Sequence, residues 1–432
     1  MRYPLFIESD FAFPQFLHVA MRHPRPRIDD IEKAVTEALA LVMQGADLKP
    51  GDRVAIGVGS RGIANLALMV RTLVAVLRRM GAVPFIVPAM GSHGGATAEG
   101  QEGVLARLGI TEACCGAPIR PAMETVRVAR VFEDVPVYFS SEALRAAHTI
   151  SINRIKPHTK FKGELESGIA KMLCVGLGKH DGALVYHRFA IKHGFLPLLR
   201  AMAEELRVRT HFRGAIGIVE NAYDETCRIE AVPAGRLFEK EETLLSLAKS
   251  HLPRLPFREL DVLVIRQIGK EISGAGMDPN VTGRAFDLME SDFADQLKVT
   301  RVAVLDLSEL TGGNAIGMGN ADIITEKVFD KLDYEVTLMN ALTSLSLRKA
   351  FIPVRLPNDR KAIQAGFTTL GPVASRDVRA VIIQDTLNLT EFMASIALMQ
   401  ELADRPEAAI LSRANLKFDA ADNLIPPWDL ET

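Results

Sequence analysis

With 432 residues the chain is longer than a single hydrophobic core usually fills, so two domains are expected. Its 51 Lys and Arg nearly balance 53 Asp and Glu, a net charge of -2 that offers no bulk attraction to nucleic acid or an anionic membrane and points to a small partner. No run reaches the roughly twenty apolar residues of a membrane span, and the opening MRYPLFIESDFAFPQF carries acids and prolines where a signal peptide has an apolar core, so a cytoplasmic location is expected. Cys114, Cys115, Cys174 and Cys227 lack zinc-finger spacing, and the adjacent pair would close only a strained ring, so all four read as reduced thiols.

After an irregular start, residues 28–43 have apolar positions at helical spacing, and LKPGD from Leu48 turns into a strand at 53–58. GVGSRG then opens a helix at 64–80. A second strand, 83–87, ends in PAMGSHGGATAEG before a helix from Thr97 to Leu108. Strand, glycine loop and helix, met twice, predict a parallel α/β sheet with both loops at the carboxyl ends of its strands. Strands follow at 125–131 and 149–153, the second leading into INRIKPHTKFKGELESGIAKMLCVGLGKHDGALVYH, residues 152–187. A helix at 195–206, a strand at 215–219 and a charged helix at 237–249 precede HLPRLPFREL, residues 251–260, whose two prolines mark an interdomain hinge. Beyond it the alternation resumes, with strands at 261–265, 301–305, 335–337 and 379–383 and helices at 324–332 and 389–402. The expected architecture is two α/β domains with largely parallel sheets, 1–257 and 258–407, with the active site in the cleft between them. A tail, 408–432, bears Trp428 and is expected to pack back on the first domain.

Within 152–187, His158, Lys171, His180 and His187 stand among glycines that let backbone or ligand approach closely. Lysine and imidazole are the side chains an enclosed site most easily moves toward neutrality. His93, at the centre of GSHGGAT, has few neighbours to pack on; the loop could bind an anion but has neither P-loop nor dinucleotide-fingerprint spacing. The alternative is a histidine that merely caps its loop. Ser60 and Arg61 occupy the equivalent loop after the preceding strand, where arginine could hold a carboxylate or phosphate or simply cap a helix. His158 follows Pro157 at a strand end. Two imidazoles on opposite sides of a substrate suit a racemase, and two histidines in two loops suit zinc equally well. Lys171, beside Gly168 and amid Ile169, Met172 and Leu173, is a candidate for covalent chemistry or a lysine whose head reaches water. His180, His193, His211 and His251 receive no role. ISGAGMDPNVTGR, residues 272–284, is a glycine-rich loop after the first strand of the second domain. With Lys270, Asn280, Thr282 and Arg284 it reads as a ligand clamp or as a structural turn.

His93 in GSHGG, His158 in KPH, Lys171 in SGIAK and His187 in VYH, sixteen positions past Lys171, together resemble the lactate racemase family of enzymes that depend on a nickel-pincer nucleotide. The resemblance implies that Lys171 carries the cofactor through a thioamide and that His187 ligates its nickel, the other ligands being two sulfurs and a carbon of the pincer. Ser60 and Arg61 would help bind the cofactor, and Lys270, Asn280, Thr282 and Arg284 the substrate. His93 and His158 would be the paired acid/base groups. One takes the hydroxyl proton of a 2-hydroxy acid while hydride leaves its carbon, giving a 2-keto intermediate that is reduced on its other face. An electron sink of this kind avoids a carbanion that two histidines alone stabilise poorly.

Four features depart from the family pattern, one being that the family's Ser-Gly-Gly element is altered here to GELESGIAK. Val58 stands where the family has an acid three residues before the loop arginine. The interval from His158 to Lys171 is longer. The lactate-contacting Tyr-Gln and following Lys are not evident, NVTGR standing near there. The implied activity is therefore racemisation or epimerisation of a 2-hydroxy acid other than lactate, larger or a sugar acid. The expected partners are that acid and the proteins that build the cofactor, with no nucleic acid and no membrane; a homo-oligomer is left open. The rival enzyme class is a zinc-dependent hydrolase or lyase using His93, His158 and His187. The non-enzymatic rival is a two-domain small-molecule binding protein.

Overall fold

The computed structural model describes residues 3–286 and 290–429 and divides into two compact units. One comprises Pro24–His158 and Lys162–Leu252; the other comprises the residues up to His23, Thr159–Phe161 and the residues from Pro253 onward. The boundary at Leu252 falls inside the proline-bearing stretch expected to separate domains. Among the described residues no helix is long and apolar enough to cross a membrane.

The middle unit is built on a five-stranded sheet in the order Val83–Pro88, Arg53–Val58, His148–Arg154, Phe212–Glu220, Thr226–Pro233. The first four strands are parallel, and the last turns back antiparallel. Apolar residues of Ile31–Val42 recur at Ile31, Val35, Ala38, Leu39 and Val42, a helical stripe that is buried. With Leu73 and Leu77 of Leu66–Arg79, that stripe packs against Val54, Ile56, Ile150, Ile152, Ile216 and Ile218 of the sheet. Asp30 starts the first of these helices by accepting the Lys33 N–H at 2.9 Å, and Thr97 starts Ala98–Arg107 by accepting the Gly100 N–H at 3.0 Å. The strands expected at 53–58 and 125–131 coincide with Arg53–Val58 and Thr125–Val131, although the latter pairs with Val135–Ser140 in a separate hairpin.

The other unit holds an eight-stranded sheet in the order Val354–Leu356, Ile323–Thr325, Lys298–Leu307, Glu259–Ile268, Ala380–Ile383, Glu391–Ser395, Phe16–Met21, Ala408–Ala414. The first five strands are parallel and the last three run antiparallel to their neighbours. The α/β class with largely parallel sheets is as expected, and four local expectations are corrected. The irregular start contains the strand Phe16–Met21, which places the amino-terminal residues with the carboxyl-terminal unit rather than the first domain. The tail joins that same unit through Ala408–Ala414 and Trp428, whose ring lies 5.9 Å from His18; its residues 430–432 lie outside the described ones. The helix expected at 389–402 is the strand Glu391–Ser395 followed by the short helix Met399–Ala403. A strand buried on both faces has a continuous apolar run that mimics a helix. The strand expected at 335–337 is the start of the helix Tyr334–Thr343, because Asp333 caps it by accepting the Val336 N–H at 3.0 Å and so overrides the β-branched Val336 and Thr337.

Candidate active site

In the middle unit Val58 is paired in register with Pro88 on one side and Ile152 on the other, so three parallel strands end together. The loops carrying Ser60 and Arg61, His93, and His158 therefore leave one edge of the sheet, where ligands of open α/β sheets bind. Ser60 Oγ and His93 Nδ1 lie 2.5 Å apart. A serine hydroxyl both donates and accepts, so the bond survives whichever ring nitrogen carries the proton. Arg61 keeps exposed surface, yet surrounding protein, and secondly the Arg154 guanidinium, lower its pKa. Arginine remains charged under such a shift, which makes the loop a place for an anion.

His158 is held by its backbone. Its N–H donates to Oε2 of Glu166 at 2.6 Å, while Oε1 accepts the Gly163 N–H at 3.2 Å and pairs with Lys249 at 2.7 Å. Glu166 has no exposed surface, so the loop is folded around a buried carboxylate whose charge is matched by lysine and amides. The imidazole Nε2 of His158 is hydrogen-bonded to Lys171 Nζ.

Lys171 closes the helical turn Ile169–Lys171, and the chain then widens into a π-helix, Met172–Gly176, a geometry found disproportionately at functional sites. The widened segment lies so close to the strand-end loops that a Cβ on Gly176 would come within 2.8 Å of the Ala89 carbonyl oxygen. The start of the turn is capped from another element. Glu241, fully buried in Leu237–His251, accepts the Ala170 N–H at 2.8 Å on Oε2 and also bonds the Ile169 amide. Its Oε1 has no hydrogen-bond partner among the described residues and presses on Gly168, where a Cβ would sit 2.2 Å away. Burial raises the Glu241 carboxyl to about 7, against the opposing effect of the two amide bonds.

His187 is half-buried on the helix Lys179–His193, about two turns beyond Lys179. The structure thus joins Ser60 to His93 and His158 to Lys171 through direct hydrogen bonds. The four residues expected to clamp a substrate belong to the other unit. There Asn280 Nδ2 donates to Asp278 at 2.7 Å, and buried Thr282 accepts the Arg284 N–H at 3.2 Å. Arg284 donates to the carbonyls of Val299 and Thr300 and pairs with Asp322 at 2.7 Å. In this conformation Asn280 and Thr282 make these bonds within their own turn, and Arg284 makes its bonds to more distant residues of the same unit. The Lys270 N–H donates to Thr311 Oγ1 at 3.0 Å.

Sequence reasoning missed Glu166, Glu241 and Lys179. Glu241 had a legible signal, because it occupies the buried stripe of Leu237, Leu244, Leu245 and Ala248, where a charge needs a partner. Lys179 had only its setting in GLGKHD, since its left-handed backbone, φ 54°, is not written in the residue type.

Fold and site together define an α/β protein with a lysine, two histidines and an arginine at the carboxyl edge of a parallel sheet. A solved structure similar to this chain is the lactate racemase apoprotein from Thermoanaerobacterium thermosaccharolyticum, with a TM-score of 0.48 and 12% identity over 81% of this chain and 90% of that one. No protein-family model matches the sequence, and no curated protein does.

Proposed function

We propose that the chain is a racemase or epimerase of a 2-hydroxy acid that works in the cytoplasm with a nickel-pincer nucleotide delivered by the proteins that build it. The observation that carries this reading is the hydrogen bond between Lys171 Nζ and His158 Nε2, one strand away from the Ser60–His93 pair. An anchor and an acid/base group in contact are what a covalently held cofactor requires.

The residues suit such a group. A lysine becomes a nucleophile once it gives up its proton, and His158 Nε2 stands ready to accept it. Arg61 offers a charge to a phosphate or thiocarboxylate. Among the described residues no three His, Cys, Asp or Glu side chains are grouped as a metal site. A cofactor that brings its own sulfur and carbon donors needs one protein ligand, for which His187 is proposed. When bound, the cofactor supplies a reversible acceptor for the hydride of the substrate carbon.

The protein's residues handle the protons. His93, bonded through Nδ1 to Ser60, serves as acid at Nε2 when the serine hydroxyl donates and as base there when it accepts. Acylation of Lys171 removes the cation beside His158, and an imidazole without a neighbouring cation is easier to protonate. His158 then serves the opposite face. Arg61 orients an anionic group against both.

Intact-mass and metal analysis of protein produced together with the cofactor pathway tests the reading. The expected result is an adduct on Lys171 and nickel that is lost in His187→Ala. Stoichiometric zinc on an unmodified Lys171 would sink it. With substrate deuterated at C2, label should stay on carbon through inversion, whereas washout into solvent points to a plain two-base mechanism.

A further inference from the structure

We propose that Lys179 and Gln101 are positioning residues for His93, a buried amine-amide relay that fixes the backbone from Pro88 to His93 so that the imidazole meets Ser60. The inference rests on the reading of His93 as an acid/base group.

Lys179 is unfavourable twice over. It is fully buried, and it adopts a left-handed backbone, φ 54°, that is unfavourable for a residue with a Cβ. Burial lowers its amine to about 8, with Glu124 acting in the opposite sense. An apolar side chain would fill an interior position more cheaply. The bonds it makes show what the lysine does instead. Its Nζ donates to the carbonyl of Pro88, the last residue of the strand Val83–Pro88, at 2.7 Å, and to Oε1 of Gln101 at 3.1 Å.

Gln101 is equally buried, on the helix Ala98–Arg107 that follows the His93 loop. Its Nε2 donates to the carbonyls of Gly91 at 2.8 Å and His93 at 3.3 Å. A cation on Oε1 polarises the amide and strengthens both donations. Three carbonyls of one short stretch are thereby tied to one lysine, that of Pro88 directly and those of Gly91 and His93 through Gln101. The ring of His93 is tied separately, by Ser60 at Nδ1. Backbone and ring are fixed by different partners, which lets the two contributions be measured apart.

Gln101→Glu is the decisive variant. A carboxylate still pairs with Lys179 but cannot donate to the two carbonyls. In the full chain without cofactor or substrate, hydrogen exchange of the Gly91, His93 and Ala96 amides is expected to quicken roughly tenfold for the bonds removed, and the NMR titration of His93 to move. In active enzyme kcat should fall about 10–100-fold with KM within about twofold. Lys179→Met should act in the same direction. Ser60→Ala should move the titration while leaving those amides protected. Wild-type exchange and titration in Gln101→Glu would overturn the proposal, as would equal loosening of the amides in Ser60→Ala. Unfolding of both Gln101→Glu and Lys179→Met would also overturn it, showing a core element rather than a positioning device. Exchange and titration need no turnover, so they decide the matter even for a chain that proves to lack racemase activity.

Discussion

Two glycine-rich regions follow strand ends in this protein, and they use their polar residues differently. Around His93, His158 and Lys171, buried groups one layer back hold the backbone: Gln101 with Lys179, Glu166, and Glu241. The side chains in front make bonds to one another that chemistry can exchange, Ser60 with His93 and His158 with Lys171. In the loop 272–284 the front residues carry structural bonds themselves, with Asn280 on Asp278 and Arg284 on Val299, Thr300, Asn320 and Asp322 of its own unit. The difference teaches that a glycine-rich loop keeps its polar side chains available for a ligand only when other residues relieve them of structural duty.

The largest expected effect follows from the proposed anchor. Lys171→Ala should lose the mass adduct and, with it, on the order of 10⁴-fold or more in turnover; an active, unmodified variant would put the two regions on the same footing. His93→Ala and His158→Ala should each cost roughly 10²–10⁴-fold while the adduct remains, measured by chiral chromatography of the product. Either variant racemising at the wild-type rate would remove that histidine from the acid/base pair.

The next effect concerns stability. Glu241 has its carboxyl raised to about 7 from 4.5, chiefly by burial and further by Glu242. Between those values the native chain keeps a proton the unfolded chain has lost, so this contribution is full below about pH 4.5 and is lost as pH rises through about 7. Urea unfolding at pH 5 and at pH 7.5 should show the wild type losing about 2 kcal/mol that Glu241→Gln does not lose. Equal pH slopes in the two proteins would show that Glu241 is ionised throughout. The smallest effect belongs to the other loop. Arg284→Ala should lower stability by roughly 1 kcal/mol by leaving Asp322 and the carbonyls of Val299, Thr300 and Asn320 without it, with KM unchanged. A raised KM would return that loop to the substrate.

Much of the fold was legible because alternating patterns and caps are local. Thr97 and the strand Arg53–Val58 fall where the residues place them. Phe16–Met21 and Glu391–Ser395 were not legible, since their identity as strands depends on pairing with each other across the length of the chain. In the candidate site, His93, His158 and Lys171 could be singled out as rare residue types among glycines. In the supporting layer only Glu241 carried a signal, because Glu166 and Lys179 look like ordinary surface charges until the fold buries them.

The strand Phe16–Met21 has a consequence for how the molecule is made. It lies between Glu391–Ser395 and Ala408–Ala414, pairing with both, although it is synthesised long before them. At roughly 5–20 residues per second the strand waits for its neighbours on the order of 20–75 s, while the middle unit, Pro24–Leu252 apart from a short excursion, is complete much earlier. An unpaired strand of that composition is a hazard for mispairing during the wait. A fragment starting at Pro253 would inherit the same difficulty permanently, with its two antiparallel neighbours facing an empty lane. A permuted gene that moves the first 23 residues behind the last strand should therefore refold faster than the natural order, its sheet closing from local pairs.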